Sequence, residues 1–75
     1  MWYVYFLREQ IGKLYIGSTG NLQRRLNEHV AKKGTIQLLG YVAVQTEEIA
    51  RKLEKYLKTG SGRAVLKKRI LTDEA

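Results

Sequence analysis

No cysteine occurs in the 75 residues, which excludes disulfides, thiolate metal centres and thiol nucleophiles together. Long apolar runs are missing too. Nothing approaches the roughly 18 consecutive apolar residues that a membrane span needs. The opening "MWYVYFLRE" has neither a basic n-region nor a small-residue cleavage site, so it does not read as a secretory leader. A reducing, cytoplasmic compartment is the resulting expectation. Acids are few, seven Asp and Glu in all, and histidine occurs once. A chain of this length accommodates one domain, residues 1–75, near the size at which a single core is only marginally sufficient.

Cations, in contrast, are abundant. Fourteen Lys and Arg against seven acids leave a net charge of +7. A surface so basic attracts polyanions, of which nucleic acid is the usual one. An acidic membrane surface fits less well, because no segment is a purely amphipathic basic helix.

The aromatic and β-branched run "WYVYFL", Trp2 to Leu7, reads as a strand, and "KLYIG" as a second. With Gln10-Ile11-Gly12 as the loop and Gly12 left-handed, Glu9 faces Lys13, Leu7 faces Tyr15 and Tyr5 faces Gly17. Alternation then puts Tyr3, Tyr5, Tyr15 and Gly17 on one face, and Trp2, Val4, Phe6, Leu14 and Ile16 on the other. Asn21 is a good N-cap for "NLQRRLNEHV", whose apolar stripe is Leu22, Leu26 and Val30. "TIQLLGYVAV" predicts a third strand, interrupted near Gly40. In "TEEIARKLEKYLK", Thr46 caps a helix with Glu47 and Glu48 at its positive end and Lys58 at the other. Its predicted buried stripe is Ile49, Ala50, Leu53, Tyr56 and Leu57, and Gly60 is expected to end it. "SGRAVLKKRIL" adds a short basic helix. The fold class is a small α/β domain, a mostly antiparallel three-stranded sheet flanked by helices in the order β-β-α-β-α-α.

On the first helix, Arg25 and His29 lie about 40° apart on one margin of the apolar stripe, whereas Arg24 points to solvent. Because this helix follows the strand carrying Tyr15 and Gly17, the arginine and the imidazole come close to the tyrosine face. Gly17 leaves room there for a close approach to the backbone. Taken singly, these residues have ordinary explanations: tyrosines as strand formers, an Arg25 ion pair with Glu28 or Glu9, a satisfied histidine. Together, on so basic a chain, they suggest a phosphate site, with Arg for a bidentate grip and Tyr and His for proton handling. Such a site usually wants a hard divalent metal on carboxylate oxygen. Asp73 and Glu74 lie in the tail, and Glu47 and Glu48 suit a helix start. Glu54 remains, on the margin of the second helix's stripe, where its ordinary explanation is an i,i+4 pair with Lys58.

"YVY" at Tyr3–Tyr5, "YIG" at Tyr15–Gly17, Arg25, His29 and the later "ARKLEKYLK" resemble the signature of the GIY-YIG nuclease family. The likeness runs from Tyr3 to about Arg69 and is closest to its small stand-alone members, with some similarity to the UvrC nuclease domain. It implies a DNA endonuclease of repair or recombination type that hydrolyses phosphodiester bonds and recognises structure or backbone rather than sequence. Carried onto this chain, it implies a single Mg²⁺ or Mn²⁺ on Glu54, Tyr5 or Tyr15 handling the proton of the attacking water, Arg25 on the scissile phosphate and His29 supporting the tyrosines. Gly17, Arg24, Lys32, Lys33, Arg63 and Lys67 complete the candidate substrate contacts. The chain departs from the family pattern in three places. Tyr3-Val4-Tyr5 replaces Gly-Ile-Tyr, the segment from His29 to Tyr41 is short, and no Asn follows Glu54. A nuclease-derived binding module without efficient turnover is the alternative.

Overall fold

The computed structural model describes residues 1–10 and 12–70. Two aromatic-rich strands, β1 (Trp2–Glu9) and β2 (Leu14–Thr19), form a hairpin. Gly12 turns the hairpin at φ 86°, a conformation suited to a residue without a Cβ. Its N–H bonds Glu9 O at 2.7 Å, and Glu9 N bonds Lys13 O at 3.0 Å. Ile11 lies outside the described residues. The register matches the pairing expected from the turn, with Tyr5 opposite Gly17 and Leu7 opposite Tyr15.

Helix α1 (Leu22–Lys33) starts where Asn21 Oδ1 accepts from Arg24 N, and stops at Gly34, whose φ is 79°. Strand β3 (Ile36–Val44) then pairs antiparallel with β1, giving the order β2-β1-β3 with β1 central. The expected interruption near Gly40 is a bulge. Phe6 pairs with Gly40 and Leu7 with Leu38, leaving Leu39 as the extra residue in a strand that otherwise continues.

Helix α2 (Glu47–Leu57) is capped by Thr46 Oγ1, which accepts from Ile49 N at 3.2 Å. Helix α3 (Gly60–Val65) follows and runs into a π-helical turn at Leu66–Ile70. Gly60 therefore opens α3 behind the Thr59 cap; α2 has already ended at Leu57. Leu71, in the predicted last helix, and the acids Asp73 and Glu74 lie outside the described residues.

Val4, Phe6 and Ile16 of the sheet pack with Ala50, Leu57 and Leu66 into the main core, flanked by Trp2, Leu14 and Leu53. The α2 stripe is narrower than its periodicity predicts, since Ile49 and Tyr56 are exposed. Ala50, Leu53 and Leu57 alone suffice to seat this helix on two strands and α3. On the opposite face α1 crosses Tyr5 and Leu7, both fully buried. The α1 stripe is also corrected: Val30 is exposed and His29 is buried. Leu22, Leu26 and His29 follow the i, i+4, i+7 row, so one residue of phase turns the imidazole inward. Among the described residues no helix is long and apolar enough to cross a membrane.

Candidate active site

Central strand position puts Tyr5 under α1 with its hydroxyl in the interior, and a buried hydroxyl must find partners. It has two. Tyr5 Oη lies 3.0 Å from His29 Nε2, and Arg25 Nε donates to it at 3.3 Å. A guanidinium can only donate, so Tyr5 Oη accepts from Arg25, and the direction of its bond with His29 Nε2 follows the tautomer of the imidazole. A line of three bonded groups results, from Arg25 through the Tyr5 hydroxyl to His29.

Tyr15, one strand over, stacks on Tyr5 with ring centroids 6.1 Å apart, and its ring meets His29 edge-on at 4.9 Å. Gly17 makes this possible. A Cβ there would stand 2.6 Å from Tyr5 Oη and 2.9 Å from Tyr15 Cε1. The room left by the glycine is thus filled by the protein's own phenols, and Gly17 is buried beneath them.

The environment shifts three of these groups. Burial pushes the Tyr5 phenol above its usual 10.0, against a smaller opposing pull from the Arg25 hydrogen bond. The hydrogen bond with Tyr5, then the phenol's charge, raises Arg25 further beyond reach of deprotonation. Burial, aided by the Arg25 charge, holds His29 below 6.5, so the ring is neutral at pH 7. A neutral ring can bond the Tyr5 hydroxyl through Nε2 in either tautomer, as acceptor or as donor.

Outside this network opens a cleft of about 190 Å³ lined by Tyr15, Arg25, Glu28, His29, Lys32 and Lys33. Arg25 bonds Glu28 Oε1 at 3.2 Å, and Lys33 pairs with Glu9 Oε2 at 3.2 Å, as an ion pair without hydrogen-bond alignment. The side chain of Arg25 is 45% exposed and that of Arg24 72%. Arg25 therefore reaches both the buried phenol and the cleft, whereas Arg24 stays outside on the helix surface. Lys32 and Lys33 join the cleft. Arg63 and Lys67 do not: they are exposed in the α3 layer, with Arg63 Nε on Lys58 O at 3.4 Å.

Glu54 stands apart from the phenols. It projects from α2 toward the opposite face of β2, where Ser18 Oγ donates to its Oε1 at 2.6 Å and Lys58 Nζ to its Oε2 at 2.8 Å. Burial raises its pKa, but the hydrogen bonds from Lys58 and Ser18 more than offset this and hold it below 4.5. The carboxylate is ionised at neutral pH, as a hard-metal ligand must be. Because β2 is an edge strand, Tyr15 on one face and Ser18 on the other flank the same margin of the sheet.

Sequence reasoning missed Ser18 and Gly62. Ser18 follows the YIG triplet, and strand alternation already turns it toward the α2 face. Gly62 is buried where a Cβ would collide with the Tyr56 carbonyl oxygen and lie 2.6 Å from Leu57 Cα, so it permits the close packing of α3 on α2. The run Gly60-Ser61-Gly62 was its only signal.

Residues 1–69 match the model of the GIY-YIG catalytic domain. The chain is 53% identical over 34 residues to a UPF0213 protein of Autographa californica nuclear polyhedrosis virus, across 45% of this chain and 33% of that protein. It is 49% identical over 39 residues to a UPF0213 protein of Pectobacterium carotovorum, across 52% of this chain and 39% of the relative. The matched stretches thus span well under half of these relatives' length. The solution structure of a UPF0213 protein from Bacillus halodurans superposes with a TM-score of 0.59 at 26% identity, covering 91% of this chain and 84% of that one. With that domain match covering 69 of its 75 residues, the chain belongs to the GIY-YIG catalytic domain family, a family of nucleases.

Proposed function

We propose that this chain is a metal-dependent DNA endonuclease that hydrolyses phosphodiester bonds and recognises backbone and shape, as in repair or recombination. The observation that carries the reading is the Arg25–Tyr5–His29 line, buried at Tyr5 and His29 and opening through Arg25 into a cation-lined cleft beside Tyr15.

Arg25 holds the scissile phosphate. Its Nε is spent on Tyr5, and its terminal nitrogens, released from Glu28, are free for a phosphate oxygen. Tyr15 is the better candidate for accepting the proton of the attacking water. It is half-buried and lines the cleft, whereas Tyr5 is sealed beneath and pushed toward its protonated form. Tyr5 and His29 then act by position, holding Arg25 and the Tyr15 ring in place. Lys32 and Lys33 supply further phosphate contacts. So small a chain has little surface for reading base edges, which favours backbone contacts over sequence readout.

The residues fit a single Mg²⁺ or Mn²⁺ on Glu54. The carboxylate is ionised, hard and part-exposed, and the Ser18 hydroxyl oxygen lies beside it. A bound divalent ion would supply charge stabilisation for the phosphate and its leaving oxygen. Among the described residues no three His, Asp or Glu side chains converge, so such an ion would take most of its ligands from water and phosphate. A second reading, a nucleic-acid-binding module without efficient turnover, is favoured by one observation: Lys58 is seated on the carboxylate that the ion needs.

The test is incubation of the whole chain with Mg²⁺ or Mn²⁺ and a panel of linear and branched DNAs, with Glu54→Ala as control. Metal-dependent cleavage lost in the variant is expected. Binding of every DNA with no cleavage of any would favour the second reading. Binding should also fall steeply between roughly 50 and 200 mM salt, as counterion release requires; a flat dependence would oppose both readings.

A further inference from the structure

Glu54 has a partner on each oxygen, and the two partners differ in kind. Oε1 takes the Ser18 hydroxyl at 2.6 Å, from a strand 36 residues away in sequence. Oε2 takes the Lys58 ammonium at 2.8 Å, from one turn along its own helix. Ser18 is fixed by the sheet, whereas Lys58 is a half-exposed flexible stem. The inner oxygen is therefore anchored, and the outer one is held by a cation that can leave.

Helix α2 provides two internal controls. Glu47–Arg51 and Glu48–Lys52 are also i,i+4 pairs, at 2.7 and 3.4 Å, but their carboxylates are 45% and 77% exposed. Glu54 is only 22% exposed, and it alone of the three has a hydrogen-bond partner from another element. Its pair is thus more than decoration of a helix surface. The identity of the cation matters as well. A lysine ammonium is a compact point charge making one contact, whereas an arginine fork would grip both oxygens and be harder to displace.

We infer that Lys58 is a resident counter-cation that a divalent ion must displace from Glu54 Oε2, and that Ser18 Oγ is the second protein oxygen of that ion's site. The inference rests on the proposal that Glu54 holds the ion. While the site holds no metal, Lys58 neutralises a part-buried carboxylate that would otherwise be left uncompensated. Ser18 keeps one carboxylate oxygen fixed and offers its own lone pairs beside it. The arrangement makes the ion's affinity the difference between two cations competing for one oxygen.

The experiment is a Mn²⁺ titration of the whole chain without DNA, followed by electron paramagnetic resonance of the free ion, for the wild type, Lys58→Met, Ser18→Ala and Glu54→Gln. Methionine keeps the stem and helix propensity while removing the charge. Lys58→Met should tighten Mn²⁺ binding by roughly three- to tenfold, the order expected for removing one adjacent positive charge in a partly exposed site. Ser18→Ala should weaken it by about tenfold or more, as loss of a supporting oxygen does at other metal sites. An unchanged or weaker Kd in Lys58→Met would overturn the counter-cation assignment while leaving the metal on Glu54. A Glu54→Gln variant that bound Mn²⁺ like the wild type would instead remove the metal reading itself. The two failures are therefore distinguishable.

Discussion

Helices α2 and α3 close one face of the sheet over Val4, Phe6 and Ile16, a contact made almost wholly of hydrocarbon. Helix α1 crosses the other face over Tyr5 and Leu7, where the buried groups include a phenol and an imidazole. The first face obtains its stability from area removed from water and tolerates no change of shape. The second holds polar groups that are stable only while each satisfies the next. Glu54 belongs to the helical layer of the first face but reaches its edge, so the ionised carboxylate and the phenols lie on opposite sides of β2.

The comparison is tested most severely by removing the two charges assigned to the reaction. Glu54→Gln should reduce DNA cleavage by about 10³-fold or more, the order seen when a charge-stabilising element is removed, while DNA affinity holds or rises. Single-turnover cleavage beside a binding titration measures both. Wild-type cleavage by this variant would break the one-metal proposal. On the other face, Arg25→Ala should cost about 10²-fold or more in cleavage, against less than about threefold in binding for Arg24→Ala, which loses one exposed phosphate contact. Equal losses in cleavage would show that helix phase does not separate the two arginines.

Glycine substitutions probe packing on each face. Gly62→Ala places a methyl against the Tyr56 carbonyl and Leu57 Cα, backbone atoms that move only if α3 shifts. The expected cost is about 3 kcal/mol or more by urea denaturation. Gly17→Ala meets side-chain atoms of Tyr5 and Tyr15 instead. Rotation of the rings can relieve part of that clash, so about 1–3 kcal/mol is expected, with cleavage lost as the Tyr5 line is broken. A Gly17→Ala variant with wild-type stability would mean that the stacked phenols are not held as described.

The smallest effects are in the pH dependence of stability, and they differ in sign. His29 is held below 6.5 by burial and by Arg25. The unfolded chain therefore takes up a proton first, and stability falls as pH drops from 6.5 through the folded value. Tyr5 is raised above 10.0 by burial, so the unfolded chain loses its proton first and stability falls as pH rises above 10. Glu54 is held below 4.5 despite burial, through Lys58 and Ser18, and its contribution is lost only as pH falls below 4.5. Urea midpoints across this range should show the tyrosine face failing first on the acid side. His29→Gln should flatten the limb below 6.5, and Tyr5→Phe the limb above 10.

Much of this was legible in the chain itself because it is local. The period-two run Trp2–Leu7, the turn at Gly12 and the caps at Asn21 and Thr46 each act within a few residues. They set the hairpin register, the helix starts and hence the face shared by Tyr5, Tyr15 and Gly17. The family motif is a consequence of that spacing. Less was legible at the margins of the helices. Val30 or His29, Ile49 and Tyr56 inside the stripe or outside it, Gly60 as an end or a beginning: each choice turns on less than one turn of phase, and periodicity does not resolve it. Tertiary packing decided these cases, because the desolvated side chain is the one another element covers. It also decided what composition cannot encode: Tyr5 Oη sealed between Arg25 and His29, and Ser18 brought from 36 residues away onto Glu54. Hydrogen bonds between separate elements depend on distances of a few tenths of an ångström, and only the packed sheet and helices fix those.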